Sequence, residues 1–390
     1  MHHNAIRLTI CGILLVLAAC APQPISTPPS PLVSSSTGQT QQPRTEEIAF
    51  QSGSFHVVGD LRLPGGTGPF PVVLFVHGSG PANRTLFGLY LPLMERMLRA
   101  GYATFAWDKP GTGESTGQLS EPRLRHQRAQ IVLDAIEVMK AHPDIDSGRI
   151  GLWGISQAGY VMPLALAQSK DIAFMICVSC AGASGNDQMA FQVAAFGLCN
   201  GVPAEKADEK TRLLAELDRA RSYETYEEYL HYREVLDAMA GLGSVPIENW
   251  PALSEEEWQK NDSDREDLWN PTEVVEQVKF PVLAIFGEKD TQGDSIQGAY
   301  AWRKALEQAG NPNFRVEVFP GTDHVLGVSE TGCTRETAQT MERVVQDQGY
   351  GSLDEVLRAP GEATPLSKWP YAPGYLDLQE EWLRGLRDSR

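Results

Sequence analysis

The residues best suited to covalent chemistry lie in Gly154-Ile155-Ser156-Gln157-Ala158-Gly159, where a serine stands among small residues at the end of the apolar run Ile150–Trp153. A serine hydroxyl is a poor nucleophile until a base takes its proton and a carboxylate orients that base. Both residue types recur where later apolar runs end. Val282–Phe286 leads into Gly287-Glu288-Lys289-Asp290, and Phe314–Phe319 into Pro320-Gly321-Thr322-Asp323-His324. Asp290 lies 134 residues beyond Ser156, and His324 a further 34. Glu288 and Asp294 are alternative acids, whereas Asp323 is too close in sequence to turn back on His324. Acyl transfer of this kind also needs two N–H donors for the oxyanion, each worth about 3–4 kcal/mol. The N–H of Gln157, where a helix should begin and its dipole favours negative charge, is one candidate.

The elements that must position these groups follow from the apolar pattern. Val72–Val76, Tyr102–Trp107, Ile150–Trp153, Ile172–Cys180 and Val282–Phe286 are near-continuous apolar runs, as buried parallel strands are. Leu86–Ala100, Leu124–Ala141 and Gln157–Ser169 lie between them with apolar residues at helical spacing. In the second, Ile131, Val132, Ala135, Ile136 and Val138 form a stripe with charged residues outside it. Ile48–Phe50 and Phe55–Leu63 read as an antiparallel lead-in. The fold class is α/β, a mostly parallel sheet with helices on both faces.

The strand-to-helix setting of Gly154–Gly159 resembles the nucleophile elbow of the α/β-hydrolase superfamily, in which the serine occupies a strained turn and close backbone packing demands small neighbours. The resemblance implies Ser156 as nucleophile, Asp290 as acid and His324 as base, since the superfamily runs in that order along the chain. His77-Gly78-Ser79-Gly80-Pro81 looks like its H-G-x-G oxyanion loop, which implies that Ser79 N–H is the donor beside Gln157 N–H and that His77 is structural. Asp108-Lys109-Pro110-Gly111-Thr112-Gly113-Glu114-Ser115 resembles a structural turn of the same enzymes; it lacks the Lys-Ser/Thr of a phosphate loop. The departures are Ala158 where Gly is commoner and Pro110 where the turn often has Arg. The resemblance spans residues 46–390 apart from inserts, and is nearest to single-domain bacterial serine esterases related to the larger oligopeptidases. It implies a carboxylic-ester hydrolase acting on small molecules, with no metal or organic cofactor. A thioesterase or peptidase using the same triad is the alternative, and an idle binding lipoprotein the remote one.

Two inserts interrupt the alternation. Residues 185–276 read as a helical cap, with helices over Ala204–Leu217 and Tyr223–Met239 and 21 acidic against 8 basic residues. Turned towards the mouth of a site, that charge would disfavour anionic substrates. A second insert, Val328–Pro373, precedes a last helix over Leu376–Leu386. The core is therefore residues 46–184 and 277–390.

The first 19 residues carry a 12-residue apolar run, Leu8–Ala19, behind His2, His3 and Arg7, the length of a signal-peptide core. The run closes in Leu17-Ala18-Ala19-Cys20, which looks like the lipobox of bacterial lipoproteins and implies lipidation of Cys20. Residues 21–45 hold six Pro and nine Ser or Thr, so residues 20–45 form an extended tether. The expected location is outside the cytoplasm of a bacterium, anchored through Cys20 to the cell membrane or outer membrane. The formal net charge of −17 disfavours a nucleic-acid partner. Cys177 and Cys180, three apart in an apparent strand, should face opposite ways and pack in the core; a Cys199–Cys333 pair is left open.

Overall fold

The computed structural model describes residues 42–119, 123–199, 225–241, 252–260, 269–358 and 364–389, together with Gly201, Leu213 and Glu216. The signal segment, Cys20 and nearly all of the tether lie outside these residues, as does most of the expected helix Ala204–Leu217. Among the described residues, eight strands form one sheet: β1 (Arg44–Ser52), β2 (Phe55–Leu63), β3 (Phe70–Val76), β4 (Ala103–Trp107), β5 (Ile145–Ile155), β6 (Ile172–Val178), β7 (Val282–Gly287) and β8 (Phe314–Phe319). Their order is β1-β2-β4-β3-β5-β6-β7-β8. The β1–β2 hairpin joins antiparallel, and every pairing from β4 onward is parallel. With helices on both faces, this is the α/β-hydrolase fold.

Period-two alternation feeds two separate cores. Val72, Leu74 and Val76 of β3 pack with α2 (Leu124–Ala141) and α3 (Ala158–Leu166), while Val73 and Phe75 pack with α1 (Leu91–Arg99) on the other face. A run that is buried on both faces has no polar positions, which is why these strands read as continuous apolar sequence. Beyond β6 come α4 (Gly185–Cys199), α5 (Tyr226–Gly241), α6 (Glu255–Lys260) and α7 (Thr272–Val275), within the expected cap. The chain continues through α8 (Ser295–Gln308), α9 (Thr334–Asp347), α10 (Leu353–Arg358) and α11 (Tyr375–Asp388). α8 adds Trp302, Ala305 and Leu306 to the first core; α9 and α11 add Val345, Leu378 and Leu383 to the second. Among the described residues no helix is long and apolar enough to cross a membrane.

Two expectations need correction. Helix α1 starts at Leu91 rather than Leu86, because Leu86 and Phe87 have φ of 48° and 53° and Asn83 Oδ1 accepts from Phe87 N, closing a turn there. Cys177 and Cys180 form a disulfide instead of facing apart. Strand β6 stops at Val178, and Ser179, with φ of 48°, breaks the alternation, so the two Cα atoms come within 5.9 Å. Cys199 and Cys333, whose pairing the sequence left open, are also bonded; the link ties the end of α4 to the start of α9.

Candidate active site

Ser156 follows the last residue of β5 with φ of 60°, a left-handed conformation rarely adopted by side chains other than glycine. Its N–H donates to Val178 O across the sheet at 2.9 Å, so the turn is anchored at its strained point. Close packing explains the small neighbours. A Cβ on Gly154 would stand 2.6 Å from Ala158 Cβ, and one on Gly159 would stand 2.7 Å from Cys180 Cβ. Ala158 therefore fits, its methyl group lying against the space that Gly154 leaves.

The parallel register brings the other groups to the same sheet edge. Val76 is paired with Gly154, Ile155 with Val178, Val178 with Ile285, and Gly287 with Phe319, so the loops after β3, β5, β6, β7 and β8 are neighbours. Asp290 and His324 are both 6% exposed, and Asp290 Oδ2 meets His324 Nδ1 at 2.7 Å. The other carboxylate oxygen accepts from Gln292 N and Gly293 N at 2.7 and 2.9 Å, which holds Asp290 aimed at the histidine. Burial favours neutral His324, but the charge and hydrogen bond of Asp290 outweigh it and raise its pKa above the ordinary value. Ser179 Oγ donates to His324 O at 2.8 Å, which ties the histidine loop to the end of β6 beside Ser156. Among the described residues, no hydrogen bond joins Ser156 Oγ to the His324 ring.

The alternative acids have other partners. Glu288 is exposed and accepts from Gly321 N; Asp294 caps α8 through Gln297 N. Asp323 accepts from Val325 N, Gly327 N and Thr337 Oγ1 and so shapes the loop that presents His324. Asp108 is held by Arg84 and by Glu114 N, and the positive φ of Gly113 lets the chain pass against its carboxylate. His77 is buried, with Nε2 at 2.6 Å from Trp107 O. Burial and then the Lys109 charge push it down to about 3, so it is neutral.

The loop His77–Pro81 lies against the elbow, since a Cβ on Gly78 would be 3.3 Å from Ser156 Cβ. Two residues that the sequence reading did not single out hold it. Lys109 Nζ donates to the carbonyls of Gly78 and Gly80, both at 2.5 Å. Arg128 donates to His77 O and to Gln157 Oε1. Because the Gly78 carbonyl faces Lys109, the trans peptide turns Ser79 N–H to the opposite side. A signal for Arg128 was present: it precedes Ile131 and Val132 by three and four residues, on the face of the apolar stripe. For a cation, the described residues offer Glu46, His142 and Asp144, but Arg44 already pairs with both carboxylates.

A family model described as X-Pro dipeptidyl-peptidase (S15 family) matches residues 54–325. The chain belongs to the peptidase S15 family. Two uncharacterised 31.7 kDa proteins of Escherichia coli are 27% identical to this S15 chain over 116 residues, 30% of its length and 39% of theirs. The chain thus spans about two-fifths of the length of those curated relatives. Esterase EstD of Thermotoga maritima is 23% identical over 276 residues, 69% of this chain and 57% of that protein. Among solved structures, the esterase Pf2001 of Pyrococcus furiosus aligns at a TM-score of 0.45 with 17% identity, covering 71% of this chain and 84% of that one.

Proposed function

We propose that this S15 family chain is a serine hydrolase that cleaves carboxylic esters through an acyl-Ser156 intermediate. The observation that carries the reading is the buried Asp290–His324 pair, 2.7 Å apart, on the sheet edge where Ser156 occupies a left-handed turn. In this mechanism His324 Nε2 takes the Ser156 proton as Oγ attacks the ester carbonyl. The N–H groups of Ser79 and Gln157 donate to the oxyanion. Collapse breaks the bond to the alcohol, which leaves with the proton from His324. Water then gives a proton to His324 and attacks the acyl carbonyl; the acid departs and Ser156 recovers its proton. Asp290 fixes the tautomer of His324.

A second reading, hydrolysis of a peptide bond by the same groups, is favoured by the description of the family model. Fluorophosphonate labelling of wild type beside Ser156→Ala and His324→Ala tests the shared part: labelling that needs both residues is expected, and none in folded wild type would overturn it. Aryl esters from acetate to palmitate, run against Xaa-Pro anilides, then separate the two readings. Turnover confined to the anilides would replace esterase by peptidase.

The proposal includes export and anchoring through Cys20, supported by the Leu17–Cys20 motif and by two disulfides, which persist in oxidising compartments.

A further inference from the structure

Lys109, in the turn after β4, and Arg128, on α2, are each 5% exposed, yet among the described residues no carboxylate pairs with either. Their acceptors are the carbonyls of Gly78, Gly80 and His77 and the side-chain amide of Gln157, all neutral. Arg84 shows what a paired cation looks like here, since it binds Asp60, Asp108, Glu47 and Glu114. The unpaired charges affect both groups. Burial and then the Arg128 charge bring Lys109 down to about 6, and burial brings Arg128 down to about 10. A guanidinium and an amine out of water with only neutral acceptors are incompletely compensated, and an anion bound between them would favour the protonated form of both. They are also not sealed in. Both line a cavity of about 560 Å³ together with Gly80, Leu124 and the two residues whose N–H groups are assigned above to the oxyanion, Ser79 and Gln157. That volume suits a small ligand.

We propose that this cavity is an anion subsite and that the substrates are small esters carrying a free carboxylate, which Arg128 and Lys109 bind beside Ser79 and Gln157. The inference rests on the serine-hydrolase reading for its substrate, but the binding of the anion does not. The guanidinium of Arg128 is a planar fork that matches a carboxylate, and charge-assisted bonds are about twice as strong as neutral ones. The subsite has the opposite sign to the −13 carried by residues 185–276, so selection for an anion arises at the cavity despite the acidic insert.

The test compares adipate with 1,6-hexanediol, matched in length and different in charge. Both are titrated by calorimetry into full-length Ser156→Ala protein and used as competitors of fluorophosphonate labelling in wild type. Adipate should bind at least tenfold more tightly than the diol. Arg128→Gln should lose at least tenfold of the adipate affinity, Arg128→Lys less, and the diol should change little. Cations that only brace the loop would leave the adipate-to-diol ratio unmoved. Equal binding of the two compounds overturns the proposal without any variant, so a variant that fails to fold does not protect it. Unchanged adipate affinity in folded Arg128→Gln overturns it too. Adipate binding without labelling would sink the hydrolase reading and leave the subsite standing; labelling without adipate binding would do the reverse.

Discussion

Ser156 sits in a backbone conformation that costs a residue with a side chain about 1–2 kcal/mol, and its neighbours are shaped to keep it there. Gly154→Ala should therefore destabilise the protein by about 1–3 kcal/mol, because its methyl would stand 2.6 Å from that of Ala158. Denaturant melts would measure this, and an unchanged midpoint would show that the elbow relaxes freely. Asp290→Asn should keep the fold and lower kcat about a thousandfold or more, since an amide stabilises the wrong imidazole tautomer. The pH profile gives a sharper test. In the proposed mechanism His324 is a base only when neutral, and Asp290 raises its pKa, so kcat/KM should fall as pH drops through a value above the ordinary imidazole range. Without the Asp290 charge that limb should move to lower pH. A limb that stays put would mean another group sets it. The three residues were legible in the chain because each ends an apolar run. The choice of Asp290 over Glu288, two positions away, was legible from the resemblance and has its physical basis in burial and the donors of Gln292 and Gly293.

At the scale of elements, the turns after β3 and β4 act as one unit. Arg84 links the carboxylates of Asp60 and Asp108, and Asp108 is almost fully buried. Arg84→Met should cost about 3–5 kcal/mol in denaturant melts by leaving that carboxylate unpaired, while a loss below about 1 kcal/mol would mean that water replaces the guanidinium. The Cys199–Cys333 disulfide closes a separation of 134 residues, which constrains the unfolded chain strongly. Replacing both by Ala should lower stability by about 2–4 kcal/mol, read from melts that leave Cys177–Cys180 intact. Equal melting would show that α4 and α9 are held by other contacts. The helix boundaries of α2 were legible to the residue, because a long amphipathic stripe averages over local detail. The start of α1 was not, because Asn83 side-chain capping and two left-handed residues leave no periodic trace.

For the whole molecule, the proposed lipid anchor and the folded part are separate claims with separate tests. Cys20→Ser should release the protein from the membrane fraction into the soluble one while ester hydrolysis per molecule is unchanged. A pellet that keeps the variant would end the anchor proposal. The acidic balance is concentrated in residues 185–276, whereas the cavity beside Ser79 and Gln157 is lined by cations. Net charge thus says little about the polarity of one cavity.

The amino-acid sequence determined the α/β class, the run of strands and helices, and the three residues that end up at one sheet edge. Local pattern suffices there, because a strand buried on both faces must be apolar throughout and a tight strand-to-helix turn must be flanked by small residues. Only the tertiary structure decided which donors hold Asp290 against His324, that Cys177 turns to meet Cys180, and that Lys109 and Arg128 share a cavity without a counter-charge among the described residues. Those facts depend on register and burial between segments distant along the chain, and a carboxylate or a cation has the same local sequence signal whether or not its partner lies across the fold.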